Sequence, residues 1–259
     1  MRAGAFLRLH LNQWGTGDDK FITAEMWDAV VDANMRPLWQ DGALFGGWDA
    51  STKRDSTAVV FVAWEQGRIR VACHKIFTPT AGRPVDFEEV ENYVVEVCSR
   101  NHVVKILADP YQLFSTIQKM QKAGYPIEEF LQSLPNLTKM ASTVFDAFNN
   151  RTIVTYPADD LKAHALDAIA ADSPRGYTIK KERAAGKIDG FIALGMSIGA
   201  ATEYGSGVDV AGFIEMNKGA PTRTVYADRP WLGMEDGGDL HPVDVLIDRS
   251  RSHRNFWDL

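Results

Sequence analysis

The chain has 259 residues, of which 45% are hydrophobic and 24% charged, and its formal net charge is -6. That length exceeds one minimal core and falls short of two large domains, so one principal domain with appendages is expected, and the composition reads as an ordinary soluble protein, neither a disordered chain nor a membrane span. The acidity argues against a protein whose main task is to coat nucleic acid, but not against an enzyme that concentrates carboxylates to hold cations.

Residues 1 to about 42 contain two short amphipathic pieces, FLRLHLNQW and FITAEMWDAVVDA, separated by Gly15, Thr16 and Gly17, and read as a linker or arm. The opening stretch carries Arg2 and Arg8 and is too short and too charged for a signal-peptide core. From Ala43 three β-rich runs follow, ALFGGWDA, STAVVFVAWE and RIRVACHKIF, joined by short polar turns as in an antiparallel meander. Cys73 and Cys98 are the only cysteines. With neither zinc-site spacing nor the density of a secreted scaffold, each reads as a buried apolar thiol in a reducing cytoplasm.

Phe87, Val90, Tyr93, Val94 and Val97 recur at helical spacing, predicting a helix over 86–100 that starts at Asp86. A strand VVKILAD comes next, then a helix from Tyr111 to Ala123 closed by Gly124, and a short strand IEEFLQ. Helices are expected at about 137–149 and 158–171, with a strand RTIVTY between them and a short ribbon at 177–181. The last helix, about 188–203, is apolar around most of its circumference and rich in small residues, which suits close packing on a sheet. Residues 205–259 lack a sustained period and read as a flexible tail. A meander feeding right-handed crossovers predicts an α/β fold with a mixed sheet and helices on both faces over 43–204, which is the ribonuclease H-like arrangement, while pattern alone leaves other α/β topologies open.

Three acids stand at element ends. Asp49 ends the first strand, Asp109 ends the fourth apolar run and is followed by Pro110, and Asp189 opens the last helix. Each has an ordinary alternative: a strand-end turn, an Asp-Pro turn, a helix cap. Neighbouring first and fourth strands would place Asp49 beside Asp109, and a helix N-terminus above them could add Asp189. Carboxylates gathered so closely repel one another unless cations neutralise them, so the constellation predicts two Mg²⁺ or Mn²⁺ ions and phosphodiester hydrolysis. Asp49 would bridge both ions. Asp55 and Glu182 are secondary candidates. Lys53, Arg54, Lys180, Lys181, Arg183 and Lys187 lie close to two of the acids in sequence and are candidates for DNA contact. His164, among alanines and leucines, reads as a satisfied core or interface histidine.

Taken in order, GGWDASTKRDSTAVVFV, ILADPYQ and KIDGFIALGMSIGAA resemble the nuclease half of phage large terminases, and FLRLHLNQW with FITAEMWDA resembles the stretch joining that family's ATPase and nuclease domains. The resemblance implies a ribonuclease H-like endonuclease that cuts concatemeric double-stranded viral DNA during packaging in the host cytoplasm. Its implied partners are the portal protein, the small terminase subunit and an ATPase domain, with no membrane involved. No G-x-x-x-x-G-K-[ST] phosphate loop occurs, since Gly186-Lys187 is followed by Ile188, so this chain is expected to cut but not pump. Two other readings use the same residues: a nuclease acting on Holliday junctions or RNA–DNA hybrids, and a non-catalytic assembly module of the packaging motor.

Overall fold

A computed structural model describes residues 20–37, 43–50, 56–65, 67–80, 82–174, 176–182 and 186–205. Residues 1–19 and 38–42 of the expected arm, the loop 51–55 and the tail beyond 205 lie outside the described residues. The meander forms as the sequence predicts: β1 (Ala43–Asp49), β2 (Thr57–Glu65) and β3 (Arg68–Phe77) pair antiparallel in succession. β2 is buried along nearly its whole length because helices cover both faces of the sheet, which is why it reads as an unbroken apolar run.

After the meander come α2 (Phe87–Arg100), β4 (His102–Ala108), α3 (Pro110–Lys122) and β5 (Ile127–Glu129), preceded far upstream by the short helix α1 (Ala24–Asp28). Asp86 caps α2 by accepting from the Glu88 amide at 2.9 Å. Pro110 sits in the first turn of α3, where its missing N–H has no helical partner to lose, and Gly124 just beyond the helix takes φ +87°. β4 pairs parallel with β1, and β5 parallel with β4. The chain continues through α4 (Leu134–Asn149), β6 (Ile153–Val154), α5 (Asp159–Leu166), the ribbon β7 (Ala168–Ser173) with β8 (Gly176–Lys181), and α6 (Asp189–Tyr204). The sheet order is β5-β4-β1-β2-β3-β6.

One expectation fails. The helix predicted over 158–171 stops at Leu166, and Ala168–Ser173 is a strand. The alanine-rich run favours helix locally, but β8 pairs along one of its edges and the Phe21 amide donates to the Ala168 carbonyl at 2.9 Å, so tertiary pairing overrides propensity.

The larger core lies between the sheet and α1, α4, α5 and α6. Residues 20–37, within the stretch read as an arm, contribute to it: Phe21, Ile22, Trp27 and Met35 are buried, and the Trp27 ring stacks on Phe148. α6 is the helix closest to the sheet, with Phe191, Leu194, Met196 and Ile198 wholly buried. That approach depends on Gly47 in β1, where a Cβ atom would stand 2.0 Å from the Ala193 carbonyl oxygen. On the opposite face, Cys73 and Cys98 are buried as expected, and burial pushes both thiols up to about 12. Among the described residues no helix is long and apolar enough to cross a membrane.

Candidate active site

Sheet register brings two of the predicted acids together. Trp48 faces Ala108 across the parallel β1–β4 ladder, and the Asp109 amide donates to the Trp48 carbonyl at 3.3 Å. Asp109 therefore occupies the next rung beside Asp49, one strand spacing away or about 4.8 Å between backbones. Strand alternation puts Phe45, Gly47 and Asp49 on the face covered by α6, and Asp109 follows Leu107 onto that same face.

Asp189 reaches this edge from above. It is the first residue of α6, only 6% exposed, and its Oδ2 accepts from the Ser56 hydroxyl at 2.6 Å. Ser56 directly precedes β2 and shares the face of Ala58, the residue paired with Asp49. The three aspartates thus line one face of one sheet edge, across β4, β1 and the start of β2.

The N-terminus of α6 has no side-chain cap of its own at Ile188. The end of α5 supplies one instead: the Gly190 amide donates to His164 Nδ1 at 2.9 Å, and the Lys187 amide donates to Asp167 Oδ2 at 3.1 Å. Gly190 permits this, since a Cβ there would meet His164 Nδ1 and the Ile76 methyl at 3.0 Å. Accepting at Nδ1 requires a neutral imidazole. Burial lowers the His164 pKa and so favours that form, against the carboxylates of Asp189 and Asp160, which pull the other way. The satisfied buried histidine read from the sequence is what the structure holds. A second histidine network lies nearby, where His74 contacts the Tyr156 hydroxyl at 2.5 Å and Asp160 at 2.9 Å.

The remaining candidates are more scattered. Glu182 forms an ion pair with Lys20, which also donates to the Leu166 carbonyl, so its carboxylate ties β8 to the start of the described chain. Lys180 is exposed on β8, Lys181 ends that strand, and Lys187 lies in the run leading to α6. Asp55, Lys53, Arg54 and Arg183 fall outside the described residues. Sequence reasoning missed two partners. Ser56 holds Asp189, and Gln132, in the connection from β5 to α4, donates to Asp109 Oδ2 at 2.8 Å while Asp109 Oδ1 accepts from the Tyr111 amide at 3.1 Å. A serine immediately before a buried, mostly apolar strand was a usable signal for the first; nothing in the sequence pointed to the second.

The donor set is all oxygen, which suits Mg²⁺ or Mn²⁺. Among the described residues, however, no three of His, Cys, Asp and Glu converge closely enough to hold an ion. Asp109 and Asp189 instead direct carboxylate oxygens to Gln132 and Ser56. The edge fits a divalent ion in the chemistry of its donors, but the ligands are not gathered into a preformed cage.

No protein-family model and no curated protein sequence matches the chain. Solved structures do. The HK97 bacteriophage large terminase superposes with a TM-score of 0.61 at 21% identity, covering 76% of this chain and 47% of that one. The large terminase nuclease from thermophilic phage G20c gives 0.56 at 10% identity, covering 70% of this chain and 98% of that one. The same nuclease with bound magnesium gives 0.55 at 11%. This chain spans about half the length of the HK97 protein and nearly all of the G20c nuclease. Mixed sheet, crossover order and helices on both faces together give this chain the ribonuclease H-like fold of phage large terminase nuclease domains.

Proposed function

We propose that the chain is a metal-dependent endonuclease that cuts concatemeric double-stranded viral DNA during genome packaging, with residues 43–204 as its nuclease domain. The observation that carries this reading is the row of Asp49, Asp109 and Asp189 on one face of one sheet edge, in a fold shared with terminase nucleases. The magnesium bound to the G20c nuclease supports a divalent ion. When bound, two Mg²⁺ or Mn²⁺ ions supply a polarised phosphate and an acidified water.

The chain's own residues do the positioning. Asp49 stands centrally in the row and would be the ligand shared by the ions. Asp109, now held by the Gln132 amide, and Asp189, held in place by Ser56 and by the α5 cap on its helix, would be the other ligands. Lys180, Lys181 and Lys187, with Lys53, Arg54 and Arg183, supply backbone contacts with little sequence preference. An ATPase domain, the portal protein and the small terminase subunit are the proposed partners, in the host cytoplasm.

Supercoiled plasmid incubated with the protein and Mn²⁺ tests the reading: nicked and linear forms are expected, and Asp49→Ala should produce neither. Cleavage by the Asp49→Ala protein at the parent's rate refutes the assignment. The engagement of Asp109 by Gln132 and of Asp189 by Ser56 favours a second reading, a non-catalytic assembly module in which the acids hold the fold. Calorimetry showing no Mg²⁺ or Mn²⁺ binding supports that alternative.

A further inference from the structure

Large apolar side chains that remain exposed are few among the described residues, and most of them gather at one place. Tyr111 is 86% exposed, Leu131 57%, Phe114 53% and Leu134 39%. Tyr111 and Phe114 lie one turn apart on the first turns of α3, while Leu131 and Leu134 flank Gln132 in the β5–α4 connection. The hydrogen bond from Gln132 to Asp109 ties these two segments together, and the Tyr111 amide donates to the same carboxylate. The apolar patch therefore borders the acid edge on its β4 side.

Its charge is also distinctive in so acidic a chain. From Pro110 to Phe145 the only acids are Glu128 and Glu129, both on β5, and Glu128 is paired with Lys105 at 2.6 Å. The flank on the β3 side is more acidic: the start of α2 presents Asp86, Glu88 and Glu89, all exposed, of which Glu89 is paired with Lys75 at 2.9 Å. A phosphate-bearing strand crossing the acid edge is repelled on the α2 flank and meets no carboxylate on the exposed first turns of α3. A protein partner needs no such exclusion of acids, so charge favours nucleic acid as the occupant.

We propose that the first turn of α3 and the β5–α4 connection form a nucleic-acid platform beside the acid edge, on which Tyr111 stacks against an unpaired or frayed base next to the cut phosphate. This rests on the nuclease reading and adds a specificity-determining residue to it. An exposed aromatic ring takes the face of any base, so Tyr111 favours ends, nicks and overhangs over sequence. Its amide donates to Asp109, which ties its backbone to the acid edge.

The test is fluorescence anisotropy with the full 259-residue chain, a fluorescein-labelled duplex carrying a single-stranded overhang, and EDTA, so that binding is read without cleavage. Tyr111→Ala should raise Kd on the order of tenfold, leave the salt dependence of binding unchanged because no ion pair is lost, and melt like the parent because the ring is exposed. Tyr111→Trp should bind like the parent. A Tyr111→Ala protein that binds the probe as tightly as the parent overturns the platform, and one that does so while losing self-association in sedimentation assigns the patch to a protein contact. Failure of the nuclease reading is separately visible, since plasmid cleavage by Asp49→Ala reports the acids and the anisotropy reports the patch.

Discussion

Replacing Gly47 with alanine adds a single carbon in the centre of β1 and should destabilise the protein more than most larger changes. The new Cβ would lie 2.0 Å from the Ala193 carbonyl oxygen and 2.8 Å from the Ser197 amide nitrogen, both backbone atoms of α6 that no rotamer change can move. Ordinary contact begins near 3.4 Å, so α6 must retreat by about 1.4 Å along its line of closest approach. A gap of about 0.5–1 Å already forfeits a quarter to a half of the dispersion attraction across the seam, and this one is wider. The side chains affected include Phe191, Leu194, Met196 and Ile198, all fully buried. Overpacked cores lose about 1–3 kcal/mol, and a backbone clash belongs at the upper end. At roughly 2–4 °C per kcal/mol for a domain of this size, Gly47→Ala should lower the Tm by about 6–12 °C. Gly199→Ala is the matched control on α6. Nothing lies within 4 Å of its added Cβ, and it gains up to about 1 kcal/mol of helix propensity, so the Tm should rise by about 2–4 °C. Thermal melting followed by circular dichroism reads both. If Gly47→Ala melts within a degree or two of the parent, or if Gly199→Ala is the more damaging change, the seam is not as tight as argued.

Removing the Ser56 hydroxyl leaves Asp189 buried without that donor; Ser56→Ala should cost about 1–3 kcal/mol and weaken Mg²⁺ binding measured by calorimetry, whereas Ser56→Thr should recover both. Asp160 is partly buried, which raises its pKa, but the hydrogen bond and charge of His74 outweigh burial and hold it below the ordinary 3.8. Its contribution is therefore present above about pH 4 and fades as pH falls through the lower folded value, because the unfolded chain takes up the proton first. Acid titration of Asp160→Asn should show a shallower loss below pH 4 than the parent, and identical acid limbs would exclude this linkage. Cys73 and Cys98 are buried with thiols raised to about 12, so an aromatic disulfide reagent at pH 8 should label neither until denaturant is added. Rapid labelling of the native protein would contradict the burial.

Much of the fold was legible because its periodicities are clean. The meander, the α2 face and the apolar α6 each carry a pattern that tertiary contacts reinforce. Asp49 and Asp109 were legible as strand ends, and their adjacency followed once β1 and β4 were taken as neighbours. What could not be read depended on distant partners. Ala168–Ser173 has the composition of a helix and becomes a strand only because β8 and the Phe21 amide reach it. Gln132 acquires its role only where β5 places the following loop beside Asp109, and His164 was recognisable as a satisfied histidine but not as the acceptor for the Gly190 amide. Tyr111 looked like an ordinary helix residue until its exposure was known.

The bond between Ser56 and Asp189 joins residues 133 positions apart, and it closes the row of acids last. During synthesis the meander can emerge and pair while α6 is still within the ribosome, so a nascent chain carries Asp49 and Asp109 without their third companion. If the proposed nuclease needs all three acids for cutting, it is inert until α6 has docked.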